Sequence, residues 1–429
     1  MEIDVEGKNV VLVVADTLTA LHLPSYGYDR DTAPFLTDLA QDNTLVKNAY
    51  VNAPWTAPSH ASLFSGKLPS EHGMTTGSIM FQEKSFVVDL EKRGYNTVGI
   101  SANSLVSEDL NFDRGFNTFH EVFDFDTENT EDFFRAAKKE LRNPDKETFR
   151  KGLRYLINKI KGSSSRGAET IEGLVKNEVR SENEPNFLFI NYTETHLPYN
   201  APAKYAENFT DNVDEKLSRH MKDHLNSNKP EIFYEGFPNC TDQELVDLYD
   251  GSIRYLDQKL ETLYNHLNEE LDDLVFIVTS DHGENFGEHG AYFHQCGIWE
   301  KSIRVPLIIA GDGISDEEVK ENFSWRKLQK LILDGELETQ KTVYSEYAGW
   351  KEMTALEEEN DIEKFEGLKK KFSFNDSRAA VKGEKGLVLN SQLEDLQFIS
   401  DQRCYSENGE CYEGQEEIET KIEIMLNSE

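Results

Sequence analysis

Cysteine, basic charge and long apolar runs are all scarce in this 429-residue chain, and each shortage closes off a class of protein. The four cysteines, Cys240, Cys296, Cys404 and Cys411, contain no CxxC pair and are too few for a disulfide scaffold; Cys404 and Cys411 could bridge a short hairpin, but free thiols are expected. Lysine and arginine total 45 against 80 aspartates and glutamates, a formal charge of −35 spread along the whole chain. Such a surface repels nucleic acid, so no nucleic-acid partner is expected. It also stays soluble by self-repulsion, as halophilic proteins do, and the expectation is a halophilic archaeal origin; an acidic surface without salt adaptation is the alternative. No stretch approaches 18 uninterrupted apolar residues, so no membrane span is expected. The apolar run at Val10 follows only nine residues, with no basic leader before it, and the expected location is cytoplasmic.

What the chain does contain is an alternation of strand-like and helix-like segments. Val10 to Ala15, Asn186 to Asn191 and Leu274 to Ser280 are continuous apolar runs, the pattern of strands buried on both faces of a parallel sheet. Tyr95 to Ser101 and Arg304 to Ala310 read as two further strands. Helices are expected over Thr32 to Asn43, Ser85 to Arg93, Glu128 to Lys161, Glu169 to Arg180 and Asp242 to Leu267, the last with Leu245, Leu248, Tyr249, Ile253, Leu256, Leu260 and Leu263 on one stripe. Glu207 to Asn239 has no clear period and reads as a surface insertion. After Gln340 short strands take over, at Thr342 to Glu346, Arg378 to Lys382, Gly386 to Leu389 and Gln397 to Ile399, with a tail helix from about Gly414. Two domains are therefore expected, residues 1–340 bearing the site and a smaller C-terminal α+β domain over 341–429.

Chemistry gathers at the ends of these strands. In open α/β sheets ligands bind beyond the carboxyl ends, and there the sequence puts Asp16 after the first run, Asp281 and His282 after Leu274 to Ser280, and His196 after Asn186 to Asn191. Pro58 at a first-turn position and Gly66 as a stop predict a helix over Ser59 to Phe64, with Thr56 just before its start. Free N–H groups and the positive dipole end at such a place favour a phosphate or sulfate ester, which makes Thr56 a candidate nucleophile; an ordinary capped helix is the plain alternative. Two carboxylates, one imidazole and one alkoxide would suit a divalent cation, and coordination would activate an otherwise weak threonine hydroxyl. His60, His196 and His294 are then available to bind the anion or protonate the leaving oxygen. Asn103 falls at the end of the Tyr95 to Ser101 strand as a candidate substrate contact, while His22, His72 and His220 read as structural or surface residues.

Residues Asn9 to Leu18, Tyr26 to Pro34, Pro58 to Gly66, Thr195 to Tyr199, Tyr249 to Asp257, Thr279 to Gly290 and Arg304 to Ile309 resemble, in order, the blocks of the sulfatase family of the alkaline phosphatase superfamily. The resemblance covers residues 8 to 310. It implies a mainly parallel sheet sandwiched by helices, a smaller C-terminal domain, and one divalent cation, usually Ca²⁺, with Mn²⁺, Mg²⁺ or Zn²⁺ as alternatives. By position, Asp16, Asp281 and His282 match metal ligands, Thr56 the nucleophile and further metal contact, and His196 a histidine at the ester; His294 falls where the family usually carries lysine.

The departures from the family pattern are informative. Sulfatases convert a cysteine or serine in a Cys/Ser-x-Pro-x-Arg motif to formylglycine, but here Thr56-Ala57-Pro58-Ser59-His60 stands in that place, so no formylglycine is expected. Thr17 replaces a second aspartate. The expected activity is metal-dependent hydrolysis of a small-molecule or glycan sulfate or phosphate ester through a metal-bound Thr56. A threonine nucleophile is also similar to the superfamily's phosphodiesterases and phosphoglycerol-type transferases, and a catalytically silent anion- or glycan-binding relative is the third reading.

Overall fold

The computed structural model describes residues 1–74, 78–122, 167–179, 184–199, 201–210, 236–237, 240–288, 292–294 and 298–348, together with strand backbone at 376–382, 385–390, 397–400 and 403–404. The expected helices over Glu128 to Lys161 and beyond Gly414, most of the 207–239 insertion, His220, Cys296 and Cys411 lie outside the described residues.

The sheet grows from the apolar runs. Strand β1 (Asn9–Ala15) lies parallel to β5 (Asn186–Tyr192) on one side and β6 (Leu274–Thr279) on the other, with Ala15 opposite Tyr192 and Val14 opposite Thr279. Because side chains alternate across a strand, a run with no polar residue must be covered twice. Val10, Leu12 and Val14 accordingly pack with Phe187, Phe189 and Ile277 on one face, whereas Val11, Val13 and Ala15 pack with Leu188, Ile190 and Val278 on the other. Helix α2 (Thr56–Ser65) covers the first face through Ala57, Ala61 and Phe64; helix α1 (Pro34–Asp42) and the long Asp242–Glu270 helix cover the second. Each fully buried aliphatic or aromatic side chain is worth about 1.5–3 kcal/mol, so this double coverage is the main hold on the fold.

The strands β2 (Thr44–Tyr50), β3 (Asn96–Ser101), β4 (Thr118–Glu121), β10 (Leu307–Gly311), β11 (Glu317–Ser324) and β12 (Thr339–Gln340) complete the large sheet, in the order β12-β11-β2-β10-β6-β1-β5-β3-β4, with β9 (Arg304–Val305) beside β2. The fold is alkaline-phosphatase-like, a mostly parallel central sheet between helices. One expected strand differs: Arg304 to Ala310 is broken at Pro306, which has no N–H to give a ladder, and β10 runs antiparallel to β6 and β2. A ribbon of β7 (Asn285–Phe286) and β8 (Tyr292–Phe293) stands apart, and a five-stranded antiparallel sheet follows Gln340, built from β13 (Thr342–Ala348), β14 (Asp376–Lys382), β15 (Lys385–Asn390), β16 (Gln397–Ser400) and β17 (Arg403–Cys404). Its first strand touches the large sheet's loops, the Asn52 amide donating to the Tyr344 carbonyl at 2.7 Å.

An ionic network centred on the buried Asp250 joins two of the family-like blocks. Asp250, on the long helix, accepts from His22 Nδ1 and Tyr28 Oη at 2.8 Å each and from Arg30 at 2.6 Å, while Arg30 also meets Asp247 at 2.7 Å. On the residue just before Asp250, Tyr249 Oη donates to the Thr17 carbonyl at 2.7 Å and accepts from the Thr19 N–H at 3.0 Å. The long helix is thus clamped to the loop that follows β1.

Candidate active site

Four chain segments meet at the carboxyl ends of β1, β5 and β6. Asp16 leaves β1, Asp281 and His282 leave β6, Thr195 and His196 leave β5, and Thr56 opens α2. Thr56 is itself the first helical residue, so the helix starts three residues before the expected Ser59; no side chain caps the start, and Gly66 ends the helix at φ 73° as expected.

The inner group is sealed. Asp16, Asp281 and His282 are each 0% exposed and Thr56 2%. His282 Nε2 lies 3.5 Å from Asp16 Oδ1, 3.5 Å from Asp281 Oδ2 and 3.2 Å from Thr56 Oγ1. His282 Nδ1 faces the Gly283 carbonyl at 3.0 Å, which places a proton on Nδ1 and turns the Nε2 lone pair to the acids. Asp281 Oδ1 accepts from the N–H groups of His282 and Thr17 at 3.0 and 3.3 Å, leaving Oδ2 free; the Asn103 amide donates to Asp16 Oδ2, leaving Oδ1 free. Those two free oxygens are buried with no hydrogen-bond partner.

Burial drives the electrostatics. It raises both carboxyls, Asp281 well above the usual range with the Asp16 charge adding to the effect, and it holds His282 well below the usual imidazole value, with His294 adding. Two orphaned carboxylate oxygens and one imidazole lone pair, all within 4.8 Å of one another, fit a divalent cation, whose charge would relieve the desolvation of both acids.

The backbone around this group is tied down. Thr195 Oγ1 donates to the Asp16 carbonyl and Thr17 Oγ1 to the Thr195 carbonyl, both at 2.6 Å, and Ser59 Oγ donates to the Asp281 carbonyl at 2.6 Å. Thr17 has φ 64°, a left-handed conformation that strains a β-branched residue by about 1–3 kcal/mol. Those bonds, with the Tyr249 clamp, hold it there.

The remaining expected site residues fall in three places. His60, one turn along α2 from Thr56, sits behind the group: its Nδ1 donates to the Thr56 carbonyl at 3.0 Å and lies 3.6 Å from Asp281 Oδ2, its ring meets Phe112, Phe189 and Trp325 edge-on, and burial pushes it down to about 4. From there a neutral, fully buried His60 anchors the Thr56 carbonyl and lies behind Asp281. Asn103 is spent on Asp16 and, through Oδ1, on the Leu105 N–H at 2.7 Å. His196 and His294 form the outer part. The half-buried His196 bonds the Leu197 carbonyl through Nδ1 at 2.7 Å, and the His294 ring stands 5.2 Å from the His196 ring and 4.4 Å from the His282 ring. Sequence reasoning assigned no role to Glu284, Tyr249 or Thr195, whose contacts exist only once distant segments are assembled.

A mostly parallel sheet with acidic and histidine side chains at its strand ends and a hydroxyl on a helix start is the arrangement of the alkaline-phosphatase-like class. Within it the chain belongs to the sulfatase family, whose model matches residues 8–325. It is 25% identical over 328 residues to the choline-sulfatase of Rhizobium meliloti (strain 1021), an alignment spanning 72% of this chain and 63% of that protein. It is 23% identical over 367 residues to the multifunctional alkaline phosphatase superfamily protein PehA of Trinickia caryophylli, across 74% of this chain and 71% of that one. Among solved structures the fold is similar to the phosphonate monoester hydrolase of Silicibacter pomeroyi, with TM-score 0.66, 18% identity, and coverage of 98% of this chain and 94% of that chain. The chain therefore spans under two thirds of the choline-sulfatase's length. Among the described residues no helix is long and apolar enough to cross a membrane.

Proposed function

We propose that this chain hydrolyses sulfate or phosphate esters, with Thr56 Oγ1 as the nucleophile. The observation that carries the reading is the Thr56 hydroxyl on the opening residue of α2, 3.2 Å from His282 Nε2, in a buried group that includes two carboxylate oxygens without partners. Asp16, Asp281 and His282 would hold the divalent cation, which when bound favours the ionised Thr56 hydroxyl and neutralises an ester oxygen. The oxygen-rich donor set favours Ca²⁺, and its single imidazole keeps Mn²⁺ and Zn²⁺ in range.

The chain's own groups do the rest. Thr56 attacks the sulfur or phosphorus, and the start of α2 presents its positive dipole end to the anion. His196, its Nδ1 tied to Leu197, offers Nε2 at the more open side, where it can assist the leaving oxygen. His60 and Asn103 act as positioning residues, the first for Thr56, the second for Asp16. Water then releases the acid from Thr56. No formylglycine takes part, since threonine cannot yield that aldehyde.

Threonine in place of cysteine or serine also supports a second reading, a phosphodiesterase or phosphoglycerol-type transferase with a covalent Thr56 intermediate; the transferase would need an acceptor alcohol in place of water. The Asp16, Asp281 and His282 group, with two carboxylate oxygens that lack hydrogen-bond partners, speaks against a silent binding protein, because it suits a catalytic cation beside Thr56. The deciding experiment is steady-state turnover of matched aryl sulfate, phosphate monoester, phosphate diester and phosphonate monoester substrates, with Ca²⁺, Mn²⁺ or Zn²⁺, beside Thr56→Ala. Turnover of one class, lost in the variant, supports the reading and names the ester. Activity that survives the substitution removes Thr56 as nucleophile.

A further inference from the structure

Glu284 lies two residues beyond His282, is fully buried, and has no part in the chemistry described so far. Its two oxygens are both occupied: His294 Nδ1 meets Oε1 at 2.8 Å and Tyr199 Oη donates to Oε2 at 3.1 Å. Glu284 immediately precedes β7 and His294 immediately follows β8, so the small antiparallel ribbon has the two partners at its base. Its register, Asn285 opposite Phe293, sets the carboxylate and the imidazole side by side.

The ribbon is held under strain at that point. Phe293 has φ 66°, a conformation that costs a bulky residue about 1–3 kcal/mol and persists only where the surroundings over-determine it. They do: the Asn285 amide donates to the Phe293 carbonyl at 2.6 Å, and the Phe293 ring is fully buried, its centroid 5.4 Å from that of Phe237. A relaxed backbone would turn the next residue elsewhere. The next residue is His294, beside both His282 and His196.

We propose that Glu284 is the positioning residue of His294, and that the β7–β8 ribbon is the device that presses the two together so that His294 Nε2, the nitrogen not committed to Glu284, meets the ester or its leaving oxygen. This deepens, and rests on, the reading of Thr56 as nucleophile. A carboxylate behind an imidazole fixes which ring nitrogen faces the substrate and at what angle, without touching the substrate itself. Tyr199 in turn holds the carboxylate.

The test combines kinetics with a spectroscopic readout, on the full chain loaded with its best cation and turning over the ester class found active. Glu284→Ala is expected to lower kcat/KM by about 10- to 100-fold, as loss of a supporting partner does elsewhere. Glu284→Gln, whose amide oxygen still accepts from Nδ1, should recover most of it, and Tyr199→Phe should cost only a few-fold. The decisive comparison is the cycle with His294→Ala: the double variant should be no slower than His294→Ala alone, since Glu284 acts only through that ring. In ¹⁵N-histidine spectra the His294 Nδ1 signal should move in Glu284→Ala and hold in Glu284→Gln. Losses that multiply in the cycle, or an unmoved Nδ1 signal, overturn the proposal. If Glu284→Ala fails to fold, the Gln variant decides: a loss as deep as that of His294→Ala with Nδ1 unmoved does the same. Failure of the underlying reading is separate, because it would show as activity in Thr56→Ala whatever Glu284 does.

Discussion

The inner and outer parts of the site are built differently. Asp16, Asp281, His282 and Thr56 sit on strand ends or a helix start, and hydrogen bonds fix even the carbonyls of the two acids, from Thr195 to Asp16 and from Ser59 to Asp281. His196 instead sits four residues past the end of β5 and His294 just after the small ribbon, their rings each held by one bond, to the Leu197 carbonyl for the first and to Glu284 for the second. The inner part cannot adjust without disturbing the strand ends, which suits the cation and nucleophile proposed there. The outer part rests on fewer bonds to the sheet, which makes it the place where we propose that recognition of the ester's organic group varies.

If that contrast is correct, substitutions inside should abolish turnover and those outside should tune it. Thr56→Ala is expected to lower kcat by about 10³-fold or more, while Thr56→Ser, which keeps a hydroxyl, stays within about 10-fold of the parent. Asp281→Asn should weaken cation affinity beyond the roughly 10- to 100-fold typical of a lost supporting partner, read by calorimetric titration with Ca²⁺ and Mn²⁺. It should also remove most of the cation-induced rise in Tm, which for the parent amounts to about 2.7 kcal/mol of stability at a hundred times Kd. His196→Ala belongs to the outer class: a loss of roughly 10²-fold on poor leaving groups and much less on nitrophenyl esters, with cation affinity unchanged. Equal losses on both ester types would break the contrast. His60→Phe sharpens it, because the ring lies behind the inner part; about 10-fold in kcat with KM unmoved is expected, from a Thr56 no longer held in register.

The same contrast governs how much was legible beforehand. Strands β1, β5 and β6 were readable because their apolar runs are unbroken, and reading them was enough to put Asp16, His196, Asp281 and His282 at one edge. Helix α2 was readable from Pro58 and Gly66. Strand β2 was missed because Lys47 and Asn48 interrupt it, and β11 because Glu317, Glu318, Lys320 and Glu321 give it a charged, largely exposed face that mimics a loop. The contacts of Asn103, His60 and Glu284 were not legible for another reason: each has a partner far along the chain or is turned inward by packing, and no local period encodes that. Asp250 and Arg30 were both within family-like blocks, yet only the folded chain brings those blocks into one ion-pair network.

The smallest expected effect lies outside both parts of the site and tests whether the frame can be perturbed without the chemistry. Asp257, buried on the long helix, accepts from the Phe35 and Leu36 N–H groups at 3.0 and 2.9 Å, capping α1, and burial lifts its carboxyl to about 7. In the unfolded chain the same group ionises near ~4. A folded-state value above the unfolded one means its stabilisation is complete below about pH 4 and is lost as pH rises towards 7, with a slope of at most about 1.4 kcal/mol per pH unit. Asp257→Asn mimics the protonated form and removes that slope. The Tm difference between parent and variant should therefore shrink, or reverse in favour of the variant, between pH 5 and 8, while kcat stays unchanged at each pH. A constant difference across that range would mean that the two N–H bonds, and not burial, dominate Asp257. A fall in kcat would mean that α1 and the long helix transmit to the Thr17 loop, and the division between frame and site would have to be redrawn around Tyr249.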